Sequence, residues 1–489
     1  MRFDKGVLRR LLFAAFCVAL TLAAVTARAE EDIAALLAGR LEQDSALKTR
    51  AIELRQAELT HSETTITNGF SVKLNTGALL FRFDGEGTFQ AEPTITLELP
   101  AANNAALTVS APLTAGGGAA ADTSNTTFTL SADITGNSRK KRTVELLQAG
   151  RAVTEARRAL QKRALEVEKE FYQALRGLYE QEAALYTKNE TRWTEELEFT
   201  MVRAQGYDES SAAYRAARME LAKAEREAAE AERRLRRDIA VFARDCGRES
   251  MDALPRSVPA PSSGGPEEGA PEGGGLLSLA GFDRSRYTEL ESARWRRYIN
   301  TLSREADGEL GVRLEGGGTL NNTAFQSGTD GGTHSLNAGA SLSWRGITLS
   351  GGLEFPLGGG GGSPALKLSV GLDSETLALA PLKRRQDALA AQKELIEIEN
   401  SGKTWDDLLA STDRERSDLL WQRRERAEQF ELYGELEADM LIWFEQGVIP
   451  ESEYRRAEAN RENARYNCLI TDTDMILYQI EISLYLIME

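Results

Sequence analysis

Apolar residues recur at helical spacing from residue 31 to 66. Leu36, Leu37, Leu41, Leu47, Ile52, Leu54 and Leu59 fall on one face, which predicts a single helix. At Gly69 the period changes to two. Phe70, Val72 and Leu74 alternate with polar residues, followed by Ile95, Leu97 and Leu99, by Leu107 and Val109, and by Phe128, Leu130, Ala132 and Ile134. Turn signals at Asp84-Gly85, Asn103-Asn104 and Gly116-Gly117-Gly118 separate these segments, as in a β-meander. From Ser138 to about Arg248 the helical pattern returns. Leu146, Val153, Leu160, Val167 and Ala174 fall seven apart, and Gly150, Ala164, Phe171, Leu178 and Leu185 take the complementary positions, which is coiled-coil spacing. Gln205-Gly206-Tyr207-Asp208 interrupts it and reads as a tight turn, with Asp208 or Ser210 capping the next helix.

Residues 250–275 hold Pro255, Pro259, Pro261, Pro266 and Pro271 among Gly, Ser and Glu, the composition of a linker. The plan then repeats: a helix over 276–306, β segments over 308–373, and helix from about 375 to the C-terminus, interrupted at Glu445-Gln446-Gly447-Val448. Local sequence supports a duplication. Ala111-Pro112-Leu113 followed by Gly116-Gly117 matches Phe355-Pro356-Leu357 followed by Gly360-Gly361. Gln205-Gly206 with Tyr214 matches Gln446-Gly447 with Tyr454. The expected organisation is repeat 1 over 30–249, with β strands in 68–136 and a hairpin tip at Gly206, the linker, and repeat 2 over 276–489, with its tip at Gly447. At 1.5 Å per residue the long arms would each span roughly 100 Å. A short arm plus a preceding helix spans about the same length. This predicts a rod with the β segments at one end and both glycine turns at the other.

Composition narrows the chemistry. The 489 residues include only 2 histidines, His61 and His334, and 3 cysteines, which excludes most His-based catalysis, multi-ligand metal sites and a disulfide-stapled fold. The net charge of −16 argues against nucleic acid as a partner. No nucleophile–base arrangement or phosphate loop is present, so the expectation is no catalytic residue, no metal and no cofactor. Residues 1–29 read as a signal peptide: a basic start (Arg2, Lys5, Arg9, Arg10), an apolar run from Leu11 to Val25, and a small-x-small site at Ala27-Arg28-Ala29. Cys17 sits within the apolar run, poorly placed as a lipoprotein acceptor. Cys246 and Cys468 lie at different distances beyond their tip glycines and are expected to be unbridged. The alternating segments, with no apolar helix, point to the outer membrane of a diderm bacterium, where closed barrels satisfy backbone groups in lipid.

The chain resembles the TolC-like outer membrane efflux proteins over nearly its whole mature length. Asn463-Ala464-Arg465-Tyr466-Asn467-Cys468-Leu469-Ile470 is similar to that family's last long helix. The Pro-Leu-x-x-Gly-Gly runs beginning at Pro112 and Pro356 look like its strand-to-helix junction, and the Gln-Gly turns like its periplasmic tips. The resemblance implies an α+β fold: outer-membrane β-barrel strands plus long antiparallel coiled-coil helices forming a periplasmic tunnel, with two internal repeats. It implies a homotrimer that acts as a passive export duct in a tripartite efflux or type I secretion system. The partners would be a periplasmic adaptor (a membrane fusion protein), an inner-membrane pump and outer-membrane lipid. A periplasmic coiled-coil adaptor or spacer without a barrel is the alternative. Another strand-like segment follows each Pro-Leu motif, unlike the family pattern, and suggests about four strands per repeat.

On that resemblance, Gln205, Gly206, Gln446 and Gly447 are candidate adaptor contacts, and Glu453 and Arg456 a candidate channel constriction in which Arg456 would partly neutralise Glu453. The second of two acidic rings known in the family is reversed here by Arg456. Trp193, Trp421 and Trp443 lie in helical stretches and are expected to pack inside. Trp344, in a strand, is a candidate for an interfacial aromatic girdle.

Overall fold

The computed structural model describes residues 28–487 except 78, 83–87, 101, 117–118, 123–125, 252, 260–275, 308–309, 321–333 and 358–362. The signal peptide up to residue 27, the Asp84-Gly85 turn, most of the linker and the glycine run 358–362 therefore lie outside the described residues. The chain mixes long helices with antiparallel sheet and divides into two compact units. The first comprises residues up to 51, 158–288 and 403–489; the second comprises 52–157 and 289–402.

The expected single helix near the N-terminus is two, α1 (Arg28–Gln43) and α2 (Ser45–Thr67). Asp44 makes the break: its side chain accepts the Leu47 N–H, as an N-cap does. The next long helix is α3 (Asn137–Ala204, 68 residues), followed by α4 (Ala212–Asp245). The cap of α4 is Ser211 rather than Asp208 or Ser210. Ser211 Oγ accepts the Tyr214 N–H at 3.2 Å, while Asp208 instead accepts the Ser210 hydroxyl at 2.9 Å. Helix α5 runs over Thr288–Ala306, shorter than the expected 276–306. Before it, residues 279–281 and 284–286 form single 3₁₀ turns, because Asp283 accepts the Ser285 N–H and fixes a turn there. The C-terminal pair is α6 (Ser374–Glu445, 72 residues) and α7 (Glu451–Tyr485).

The first unit is held by an apolar cluster. Ile33 and Leu36 of α1 meet Phe171, Leu175 and Leu178 of α3, Leu235 and Phe242 of α4, and Leu469, Ile476 and Ile480 of α7. Val167, Phe171 and Leu178 belong to the heptad positions read from sequence, and all are buried. The Tyr179 hydroxyl, fully buried among them, donates to the Pro255 carbonyl at 2.9 Å. That bond satisfies a polar atom the core would otherwise strand.

Among the described residues, the second unit holds all the strands. β1 (Ser71–Asn75), β4 (Thr94–Leu99), β5 (Ala105–Ser110), β8 (Thr126–Asp133), β9 (Leu310–Leu320), β10 (His334–Trp344), β11 (Ile347–Leu357) and β12 (Ala365–Leu372) form an eight-stranded sheet in that order. Every neighbouring pair is antiparallel. A second sheet, absent from the sequence reading, has the order β2 (Leu80–Arg82), β3 (Thr88–Ala91), β6 (Leu113–Gly116), β7 (Ala119–Asp122). Pro93 and Pro112 fall between the two sheets, where a missing N–H ends a ladder. Beside the strands, Arg151 of α3 is buried and grips Glu291 of α5, with Nη2 to Oε2 at 2.8 Å, and its guanidinium lies 5.3 Å from the Trp295 ring centroid. Glu394 of α6 is likewise buried, against Asn300 at 2.9 Å and Arg304.

Candidate functional site

The chemistry of the main sheet is divided between its faces, because side chains alternate along each strand. One register row crosses all eight strands as Val72, Leu97, Leu107, Leu130, Gly316, Ala338, Leu353 and Leu366. The adjacent row reads Lys73, Thr96, Thr108, Thr129, Gly317, Asn337, Glu354 and Ala365. The apolar face is open: Val72 is 57%, Leu130 54% and Leu366 62% exposed. It continues through Leu368, Val370 and Leu372, all exposed. Trp344 lies on this face beside Leu310 and Ile347, with the Arg345 guanidinium 4.8 Å from its ring centroid. The polar face carries its charges largely in pairs, Lys73–Glu98 at 2.6 Å and Lys367–Glu354 at 3.0 Å, and Arg313 donates to the Ser131 hydroxyl at 3.1 Å. No helix among the described residues is long and apolar enough to cross a membrane.

The Pro-Leu motifs do not lie at strand-to-helix junctions. Pro112 stands between β5 and β6, and Pro356 is within β11, opposite Ser335. A further strand follows each motif before the helix begins. The junctions are built on aspartates that sequence reading passed over. Asp133 closes β8 and accepts the Ser138 hydroxyl, with Gly136 at φ +71° between them. Asp373 follows β12 and caps α6, accepting the N–H groups of Glu375 at 3.1 Å and Thr376 at 3.4 Å. An Asp followed by Ser or Thr three to five residues later, just after an alternating segment, is the signal that was available.

Both glycine turns are where the sequence placed them. Gly206 and Gly447 have φ of +77° and +71° and end α3 and α6. The Gly447 N–H donates to Phe444 O and the Val448 N–H to Trp443 O, the paired bonds of a helix C-cap. Each turn is straddled by an aromatic pair, Phe199–Tyr214 at 5.2 Å and Phe444–Tyr454 at 5.5 Å. Gln205 and Gln446 are exposed. Glu453 is exposed in the first turn of α7. Arg456 does not pair with it; Arg456 Nε donates to Glu190 Oε1 of α3 at 2.8 Å. Glu453 stands three residues upstream on the same helix, within pairing range, yet the guanidinium turns to Glu190 of the neighbouring hairpin.

Trp421 and Trp443 are 63% and 44% exposed, contrary to the packing expected of them. Cys246 and Cys468 are free thiols. Burial pushes the Cys246 thiol up to about 11. Glu168 of α3, beside the buried Val167, is pushed up to about 7 by burial alone. Among the described residues no cluster of His, Cys, Asp and Glu could hold a metal ion.

Among solved structures, the chain is similar to the outer-membrane channel OprN, at 16% identity over 93% of this chain and 88% of that one, with a TM-score of 0.45. It is similar to the outer membrane protein VceC of Vibrio cholerae, at 12% identity over 92% and 96% of the two chains and TM-score 0.45. It is also similar to the MtrE outer membrane channel of Neisseria gonorrhoeae, at 14% identity over 91% and 87% and TM-score 0.43. No curated protein matches it. Two family models do match, one for each side of the proline-rich stretch, and the chain thus carries a TP096X N-terminal domain over residues 36–259 and a TP096X C-terminal domain over residues 272–488.

Proposed function

We propose that this protein is an outer membrane export duct of the TolC-like kind, a passive, non-enzymatic channel. The observation that carries the reading is the register-aligned apolar face of the eight-stranded sheet. Exposed leucines, isoleucines and valines in rows across seven of the eight strands are costly in water and suited to lipid, and the Ser/Thr-rich opposite face is suited to a water-filled lumen. β10 and β11, at 11 residues each, have the length of tilted membrane strands. The resemblance of the helical arms and tips to that family supports the same reading.

The finer parts of the proposal follow from the resemblance. Residues 1–29 direct export, and residues 30–249 and 276–489 are two repeats around the linker. Three copies close one barrel over a periplasmic tunnel. The tips at Gln205-Gly206 and Gln446-Gly447 dock a periplasmic adaptor, which links the duct to an inner-membrane pump. Glu453 biases the mouth toward cations, as acidic rings do in other pores, and Trp344 anchors at the lipid boundary.

The test is to refold the mature chain and add it to planar bilayers. Cation-preferring channels and heat-modifiable migration on gels are expected. Protein that stays soluble without detergent, ignores vesicles and gives no conductance supports the periplasmic adaptor or spacer instead.

A further inference from the structure

Two glycines on the polar face of the main sheet have no backbone reason to be glycine. Gly339 and Gly352 are direct partners on β10 and β11. Neither has a positive φ. A Cβ at Gly339 would meet its nearest atom at 3.6 Å and one at Gly352 at 4.0 Å, ordinary contact or open space. Gly317, on the same face, is different: a Cβ there would lie 2.5 Å from the Phe128 carbonyl. Glycine weakens a strand interior, so an unforced pair is a cost with some other return.

What the pair leaves is space between opposite charges. In one register row Glu315 on β9 is followed by Gly339, Gly352 and Lys367 on β12. Glu315 and Lys367 are thus three strand spacings apart, about 14 Å between Cα atoms; Lys367 Nζ gives one of its three N–H groups to Glu354 at 3.0 Å, which leaves two for a solute. The next row supplies hydroxyls from Ser341, Ser350 and Ser369 in register. Ser350 and Ser369 share a 2.5 Å hydrogen bond. These residues, with Arg313, line a cavity of about 280 Å³.

We propose that this trough is a subsite for a zwitterionic solute of dipeptide size, its ammonium toward Glu315 and its carboxylate toward Lys367, over a glycine floor. Hydroxyls along one side replace part of the solute's hydration. The inference rests on the export-duct reading, which places the polar face along the transport path. It adds a solute class that the path favours. A solute with only one of the two charges forgoes the contact at one wall and binds less well.

The experiment uses the full mature chain in detergent, titrated calorimetrically with dialanine, N-acetyl-dialanine and dialanine amide. Saturable dialanine binding is expected, at least tenfold tighter than either singly charged form. Gly339→Val and Gly352→Val should each weaken it at least tenfold and leave the unfolding temperature equal or higher. Glu315→Gln and Lys367→Gln should each weaken it at least fivefold, and they read the same trough if a floor variant fails to fold. Equal binding of the three probes, no binding, or floor variants that bind like the native chain overturn the subsite. Conductance of the same preparations separates the two readings. A conducting channel that binds no dialanine loses the subsite and keeps the duct, whereas selective binding without conductance does the reverse.

Discussion

Arg163 Nη2 lies 2.7 Å from Asp44 Oδ2, so the residue that breaks the N-terminal helix is also tied to the long helix α3. Asp44 therefore caps α2 through its contact with the Leu47 N–H and anchors the break to the apolar cluster through Arg163. Asp44→Ala should cost about 1–3 kcal/mol at pH 7, measured by chemical unfolding. The Arg163 hydrogen bond holds the Asp44 carboxyl below its ordinary value. The folded state thus binds the proton less tightly than the unfolded one, and the contribution is present above the ordinary carboxylate range. It should fade as the pH falls through and below that range, and Asp44→Asn should remove this pH dependence.

Glu168 has the opposite sign. Its folded-state value of about 7 lies above the ordinary one, so the folded protein favours the protonated acid. Stability is fullest below the ordinary carboxylate value and is lost as the pH rises through about 7. Glu168→Gln should stabilise the chain by about 1–3 kcal/mol at pH 8 and leave it unchanged at pH 4. Unfolding midpoints at the two pH values check this.

Two glycine-to-alanine changes should have opposite effects. At Gly447 there is room for a Cβ, but the φ of +71° is costly for alanine, so Gly447→Ala should lose about 1 kcal/mol. At Gly434, inside α6, there is equal room and an ordinary φ, so Gly434→Ala should gain about 0.5–1 kcal/mol. Thermal unfolding of both variants separates backbone conformation from packing.

At the second hairpin the Arg456–Glu190 bond redefines the charge problem. Removing Arg456 exposes one more carboxylate, that of Glu190, so Arg456→Ala should increase the cation preference of the proposed channel. Adding Glu190→Gln should reverse that increase, and Glu453→Gln alone should lower the preference. As both partners lie near the surface, the stability cost of Arg456→Ala should stay within about 1 kcal/mol. Reversal potentials under a salt gradient, together with unfolding curves, measure both effects.

The alternation of Val72, Ile95, Leu107 and Leu130 was enough to find the first half of the main sheet, and the heptads around Val167 found the helical core. Both signals are periodic over many residues, so tertiary contacts reinforce them. The small sheet was missed because its strands are three or four residues long and partly built of Ala and Gly, too short to show a period. The break at Asp44 was missed because an aspartate on a helix and one at an N-cap look alike in sequence. The charged residue buried at Arg151 follows no apolar pattern; only the meeting of α3 with α5 brings it to Glu291 and Trp295. The tip glycines were legible because left-handed backbone at a helix end selects for glycine. The partner of Arg456 was not, since Glu190 is distant in sequence.

The main sheet begins at β1 and ends at β12, and among the described residues neither strand has a second ladder partner. Each outer edge therefore presents a row of N–H and C=O groups. Water solvates these groups, but hydrocarbon cannot, at a cost of several kcal/mol per group. The chain can fold its helices alone and still be unable to enter a bilayer alone. Insertion should then depend on meeting a matching edge, giving kinetics that accelerate with protein concentration and a lag at high dilution. The helical core, closed within one chain, should form at a rate independent of concentration. The length of β1, only five residues, sets the shortest seam over which that meeting is sealed.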